Sequence, residues 1–198
     1  MKEHQVPPAE RVGTLPPGVG ISVGLQAPDA GVLDADGRKI SLRSLAGKGG
    51  RTLVVFYRGG WCPFCNFQIH ELTTAYPEFR RRGVLPVAIS VDRPEESART
   101  RATYTIPFPV VSDADLSAHH AFRVLHYAND AEVARLKGFG MDVERSSGRT
   151  HHAIAIPSMF LVDGQGVVRW AHADPGYQVR PSIVQILAAI DELQPPSR

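Results

Sequence analysis

A chain of 198 residues with 43% apolar and 21% charged side chains has the length and balance of one globular domain with a substantial core, and too little chain for a second. Its 22 basic and 20 acidic residues are interspersed, with no cationic block longer than Arg80-Arg81-Arg82, which argues against a nucleic-acid or membrane partner. The start, Met1 to Pro8, mixes charges and prolines where a secretory signal needs an apolar run, and no later stretch approaches the roughly 18 apolar residues of a membrane span, so a cytoplasmic location is expected.

Residues 1–20 hold four prolines and three glycines and read as an irregular surface arm, leaving 21–198 as the single domain. Val32-Leu33 and Lys39 to Leu42 flank an Asp36-Gly37 turn and predict a small N-terminal hairpin. A turn around Gly47 to Gly50 leads into Thr52 to Tyr57, apolar on both alternating faces, as in a central strand covered on both sides. After Gly59-Gly60, the apolar positions Phe64, Ile69, Leu72, Tyr76 and Phe79 recur at helix-compatible spacing as far as Arg82, with Pro77 as a kink point. Leu85 to Val91 reads as a second buried strand despite Pro86, followed by a helix over Pro94 to Thr103 with Asp92 as its expected cap.

Phe108 to Val111 is expected as a third strand, Asp113 as the cap of a helix running through His119 to Phe122, and Asn129 to Gly138 as another helix. Ile154 to Val162, the turn Asp163 to Gly166 and Val167 to His172 predict a hairpin. A polar cluster of Asp174, Tyr177 and Arg180 follows with no assigned role. Pro181 to Leu193 closes the chain as an amphipathic helix with Ile183, Ile186, Leu187 and Ile190 on one face. Strands alternating with helices specify an α/β fold, a mixed central sheet covered by helices on both faces.

Cys62 and Cys65 are the only cysteines, too few for a secreted disulfide framework, and their spacing points to redox chemistry in a reducing compartment. Trp61-Cys62-Pro63-Phe64-Cys65 lies where a buried strand gives way to a helix. Cys62 is therefore expected at the helix N-terminus, where unpaired N–H groups and the helix dipole favour a thiolate. That makes Cys62 the expected attacking sulfur and Cys65, one turn on, the resolving one; Pro63 suits the first helical position. A zinc site would need two further ligands, and the adjacent pairs His119-His120 and His151-His152 point in divergent directions, so no metal is expected. Two inert buried cysteines are disfavoured because a strand-to-helix junction does not call for small buried side chains.

Trp-Cys-x-x-Cys after an apolar strand resembles thioredoxins, and Cys-Pro-aromatic-Cys resembles glutaredoxins. The wider run Phe56 to Asn66 resembles the peroxiredoxin-like branch of the alkyl hydroperoxide reductase/thiol-specific antioxidant family. The likeness extends from about Val23 through Ala27-Pro28-Asp29, Ile89 to Asp92, Phe108 to Asp113, Phe160 to Gly164 and Arg169 to Pro175. It implies a thioredoxin-like fold in which Pro157 is cis and exposes the backbone of Ile156 beside Cys62, with Trp61 packed beside the sulfur. Peroxiredoxins resemble one another in a proline seven residues and a threonine three residues before the peroxidatic cysteine; here these are Val55 and Gly59. Their peroxide-polarising arginine falls on Pro157, and taking Cys65 as the attacker puts Arg58 and Cys62 at the first two positions. Arg58 is a candidate to stabilise a thiolate or a leaving oxygen, against the plainer reading of a solvated arginine at a strand end. The buried acid of thioredoxins falls on Phe56, so the proton acceptor for Cys65 has no candidate.

The resemblance implies a thiol-dependent oxidoreductase of antioxidant type that cycles Cys62 and Cys65 between dithiol and disulfide, with thiol-disulfide exchange favoured. A peroxiredoxin-type thiol peroxidase is the alternative, and a redox-switched binding protein is the alternative from another class. The implied partners are a thiol electron donor (thioredoxin-like, glutaredoxin-like or a small thiol) and a disulfide or hydroperoxide substrate. No cofactor is implied, and a homodimer is compatible with the likeness.

Overall fold

In a computed structural model, which describes residues 1–46 and 49–193, the chain builds a seven-stranded mixed sheet and a separate two-stranded one. The expected turn beginning at Gly47 and Lys48 lies partly outside the described residues. The hairpin β1 (Gly31–Leu33) and β2 (Lys39–Ser41) forms one edge of the large sheet, as its turn chemistry predicts. The sheet centre is β3 (Arg51–Phe56), parallel to β4 (Val84–Ser90) on one side and antiparallel to β8 (Ser158–Val162) on the other. β5 (Val110–Ser112) joins β4 to β1, and β9 (Val168–Ala173) forms the far edge beside β8.

Because side chains alternate along a strand, β3 feeds two cores at once. Val54 and Phe56 pack with Val87, Ile89 and Phe160 on one face. Leu53, Val55 and the following Tyr57 pack on the other face with both cysteines, Ile69, Leu72 and Ile186. Pro86 is tolerated inside β4 for a geometric reason. Its missing N–H would point to the same side as that of Ala88, which donates to Pro109 O at 3.0 Å, and β5 does not extend back to residue 86's level.

The second core is closed by helices. α1 (Pro63–Thr74) and α2 (Tyr76–Arg81) form the predicted stretch, but with a break at Ala75, so that Pro77 falls in the first turn of a new helix. α7 (Ile183–Glu192) is held by a capping box, in which Ser182 Oγ accepts from Gln185 N and Gln185 Oε1 from Ser182 N, and it buries Ile186 and Ile190. Burying two such side chains is worth about 3–6 kcal/mol, ample to dock a helix of this length.

Four expectations are corrected. α3 (Pro94–Thr103) begins after Arg93 with no side-chain cap; Asp92 turns away and accepts from Gly60 N at 2.7 Å. α4 (Ser117–Ala121) follows Leu116 in left-handed backbone (φ 63°), and Asp113 satisfies its first turn from outside by accepting from His119 N. The expected strand Ile154 to Val162 is two strands. β7 (Ala153–Ala155) pairs with β6 (Leu125–Tyr127) in the small sheet, and β8 alone forms the hairpin with β9. Finally, Pro157 is trans, since no cis peptide occurs among the described residues. Trans is the isomer an X-Pro bond prefers, and this chain uses the local backbone itself: Ile156 N donates to Val124 O and Pro157 O accepts from Asp174 N.

α5 (Asp130–Gly138), capped by Asn129, and α6 (Val143–Ser147), which sequence periodicity missed, form a small lobe with β7. Trp61 packs against it. Gly138 stays helical, and the chain turns at Gly140, where φ is 77°. The arm of residues 1–20 is irregular apart from a turn at Ala9–Arg11, yet it is fastened to the domain. His4 is buried with Nε2 at 2.6 Å from Glu71 of α1, and Gln5 bridges the backbone of 178–180 on both sides. No helix among the described residues is long and apolar enough to cross a membrane.

Candidate active site

β3 delivers the chain to the site. Tyr57 N still donates to Ile89 O, and then Arg58-Gly59-Gly60 turns the backbone out of the sheet. Gly59 has φ 144°, and a Cβ there would run into the Trp61 indole nitrogen and lie 2.7 Å from Asp92 Oδ1, so the position resembling the family's threonine takes glycine for steric reasons. Cys62 is the N-cap of α1 and its Sγ accepts from Cys65 N at 3.4 Å, while Asn66 Nδ2 braces the turn by donating to Gly60 O. Both cysteines are free thiols, their sulfurs 2.8 Å apart. Cys62 is 1% exposed and Cys65 is fully buried.

Two guanidiniums surround the pair. Arg58 is buried, not solvated; its Cζ lies 4.5 Å from the Tyr177 ring and 5.2 Å from the Trp61 ring, with Glu132 of α5 at 3.8 Å. Arg180 is 2% exposed with Nη2 at 3.6 Å from Cys65 Sγ. A buried cation is costly unless a counter-charge is near, so these residues favour an anion on the sulfurs.

The two thiols titrate as one unit. Burial pulls the Cys65 thiol up, but the hydrogen bond from Cys62 and the charges of Arg180 and Arg58 outweigh it and bring it down to about 6. Cys62 is held far above the ordinary thiol range, first by its hydrogen bond to Cys65 and then by burial. The resting pair therefore shares one proton, with the charge on the Cys65 side, in contrast to the expectation that the helix N-terminus alone would make Cys62 the thiolate. The hydrogen bond from Cys62 and the guanidinium of Arg180 beside Cys65 decide this, against the opposing effect of burial.

Access is asymmetric. A cleft of about 420 Å³ reaches the pair from the side of Cys62, walled by Trp61, Phe64 and Tyr177 opposite Leu136, Phe139 and Met141 of the α5 lobe. Cys62 lines it and Cys65 does not. Among the expected site residues, Cys62, Cys65, Trp61, Pro63 and Arg58 come together here. Ile156 and Pro157 are not on the cleft wall, and the Ile156 N–H is already taken. Sequence reasoning missed the role of Arg180, which is 115 positions from Cys65 and was visible only as part of a polar cluster. It also missed Asp92, read as a cap, which braces the turn before Cys62 by accepting from Gly60 N. Among the described residues, no group of three or more His, Cys, Asp or Glu side chains could hold a metal ion.

Comparison with known proteins agrees with this architecture. The chain is 31% identical over 94 residues to thiol-disulfide oxidoreductase ResA of Bacillus cereus (strain ZK / E33L), a match spanning 47% of this chain and about half, 53%, of that protein. The solved structure of peroxidoxin BcpB from Mycobacterium tuberculosis superposes with a TM-score of 0.67 at 17% identity, covering 88% of this chain and 99% of that one. Reduced Prx3 of Vibrio vulnificus, solved with hydrogen peroxide, gives a TM-score of 0.69 at 15% identity, covering 86% and 99%. These likenesses identify the fold as thioredoxin-like, of peroxiredoxin type. Residues 23–171, from just after the N-terminal arm to the middle of β9, match the AhpC/TSA family, and the chain belongs to it.

Proposed function

We propose that the protein is a thiol-dependent oxidoreductase in which Cys62 attacks and Cys65 resolves. The observation that carries this reading is the isolated dithiol, 2.8 Å between sulfurs, enclosed by two guanidiniums and open to a cleft only at Cys62. On approach of a disulfide the shared proton moves to Cys65 and the Cys62 thiolate attacks one substrate sulfur, releasing the other as a thiolate. Cys65 then attacks Cys62 Sγ and releases the second thiolate, so two electrons pass to the substrate. A thioredoxin-like, glutaredoxin-like or small thiol donor reverses the sequence through the same cleft. A cytoplasmic setting, which would keep the dithiol reduced between cycles, fits a chain whose only two cysteines form this pair.

Disulfides are favoured over peroxides because the positions that handle peroxide in peroxiredoxins do other work here. Val55 is sealed in the core, Gly59 has no room for a side chain beside Trp61 and Asp92, and the Pro157 carbonyl is engaged by Asp174 N. The second reading, a thiol peroxidase, rests on Arg58 and Arg180, whose donors could polarise an O–O bond at Cys62; a sulfenic acid would form there and Cys65 would expel water from it.

Stopped-flow tryptophan fluorescence with hydrogen peroxide and, separately, with a small aromatic disulfide distinguishes the two. Fast oxidation by the disulfide, with a peroxide rate like that of a free thiolate, is expected, and both are lost in Cys62→Ser. A peroxide rate far above free thiolate would establish the peroxidase. Stoichiometric oxidation without donor-driven recycling would favour a redox-switched binding protein, and wild-type turnover by Cys62→Ser and Cys65→Ser would sink the dithiol cycle.

A further inference from the structure

The two guanidiniums at the redox pair are placed differently. Arg180 contacts the inner sulfur, with Nη2 at 3.6 Å from Cys65 Sγ, and it does not line the cleft. Arg58 lines the cleft together with Cys62 and is 6% exposed. Its guanidinium lies over the rings of Tyr177 and Trp61, and the carboxylate that faces it, Glu132, brings Oε1 only to 3.8 Å. That is beyond hydrogen-bond length, and Glu132 Oε2 is held at 2.7 Å by His126 Nε2. No hydrogen bond from the Arg58 guanidinium to another side chain or to the backbone forms among the described residues.

Ring faces attract the charge of a guanidinium but leave its N–H groups without oxygen acceptors. A fork of donors more than nine-tenths buried and lacking an acceptor is costly. It is also the group that a carboxylate satisfies with two parallel hydrogen bonds. The rest of the cleft agrees in charge and shape. Lys2 of the arm and Arg135 of α5 line it as well, and among the described residues no Asp or Glu does, so an entering anion meets three cations and no repelling wall. Phe139 on its lip is 71% exposed, an apolar surface that a ligand body would cover. At about 420 Å³ the cleft has room for a small organic molecule. Cys62, 1% exposed, is reached through this cleft, which admits a narrow substrate more readily than the surface of a folded protein.

We propose that the cleft binds a small disulfide with a carboxylate on an aromatic or acyl body, and that Arg58 seats the carboxylate while Cys62 attacks the disulfide. This rests on the dithiol cycle above and names its substrate class. Arg58 is then a substrate-binding residue, whereas Arg180 holds charge at Cys65. Glu132, at its distance of 3.8 Å, makes the buried cation tolerable between turnovers without occupying its donors.

The test compares an aromatic disulfide bearing a ring carboxylate with its uncharged carboxamide counterpart. Each kcat/KM is divided by the rate of the same disulfide with a small free thiol, which removes differences in intrinsic reactivity. Wild type is expected to prefer the carboxylate about 10- to 100-fold, chiefly through KM. Arg58→Met is expected to reduce that preference to about threefold, the remainder due to the exposed Lys2 and Arg135. Any change it causes in the thiols cancels, because both disulfides meet the same Cys62. Equal efficiency in wild type would overturn the proposal whether or not Arg58→Met folds, and a protein disulfide reduced faster than either would then give the cleft to a protein partner. A preference that survives in Arg58→Met would overturn it too, by assigning recognition to Lys2 and Arg135. Both results leave the dithiol cycle standing, whereas no turnover of either disulfide by wild type would remove the cycle itself.

Discussion

Each face of the sheet buries a carboxyl group next to an aromatic side chain, and the two sites are finished differently. Beside the first core, Asp113 Oδ2 accepts from both the backbone N–H and the ring Nδ1 of His119, at 2.8 and 2.6 Å, with the imidazole edge-on to Phe56. There His119 Nε2 lacks a partner, whereas around Cys65 the orphans are Tyr57 Oη, Asp92 Oδ1 and Arg180 Nε. A buried polar group bound into its own helix turn serves structure. Asp92 and Arg180 are instead each held through some of their polar atoms, Oδ2 by Gly60 N and Nη2 beside Cys65 Sγ, with another atom left unpaired.

The widest separation between the sites should appear in stability against pH. The Asp92 carboxyl rises from 3.8 to about 7 on folding, so between those values the folded chain keeps a proton that the unfolded chain has released. Stability therefore falls as pH rises from about 4 to 7, by a few kcal/mol. Urea midpoints of the oxidised protein, whose thiols no longer titrate, should trace this slope, and Asp92→Asn should flatten it. A slope that survives the substitution would place its origin elsewhere.

Gly59→Ala should destabilise by about 3 kcal/mol, combining backbone strain with intrusion on the Trp61 ring and Asp92 Oδ1. Gly24→Ala, at φ 89° but with open space around it, should cost about 1 kcal/mol. Equal losses in melting experiments would mean that Trp61 and Asp92 both yield easily to the added methyl. Asp113→Ala should cost about 2 kcal/mol and leave the thiolate absorbance titration unmoved, since its partners belong to α4. A shifted thiol titration in that variant would abolish the distinction drawn between the two faces. Arg180→Met should act the opposite way, raising the proton affinity of the dithiol at least about tenfold. An unchanged titration would remove Arg180 from the account of the Cys65 charge.

Much of the active-site segment was legible because it is local. The change from a doubly apolar strand to helical spacing, with Pro63 at the first helical position, places Cys62 at the N-cap without reference to the rest of the chain. The small hairpin and the terminal helix follow from turn chemistry and a one-sided apolar stripe in the same way. Local rules misled where a residue had two roles open to it. Asp92 before Pro94 has the signature of a helix cap, but its carboxyl finds a better-placed donor in Gly60 across the strand end. Pro157 splits one apolar run into strands of two different sheets, which alternation cannot reveal because both halves are buried.

By itself, then, the sequence determined the dithiol, its seat at a strand-to-helix junction and the alternating order of the sheet, since spacing, helix capping and proline geometry act within a few residues. Only the tertiary structure decided the electrostatics of that dithiol. Arg180 reaches Cys65 because the arm pairs through Gln5 with the backbone of 178–180, and Asp92 reaches Gly60 because β3 and β4 lie side by side. The charge on a buried sulfur depends on groups within a few ångströms in space, and their distance along the chain carries no record of that proximity.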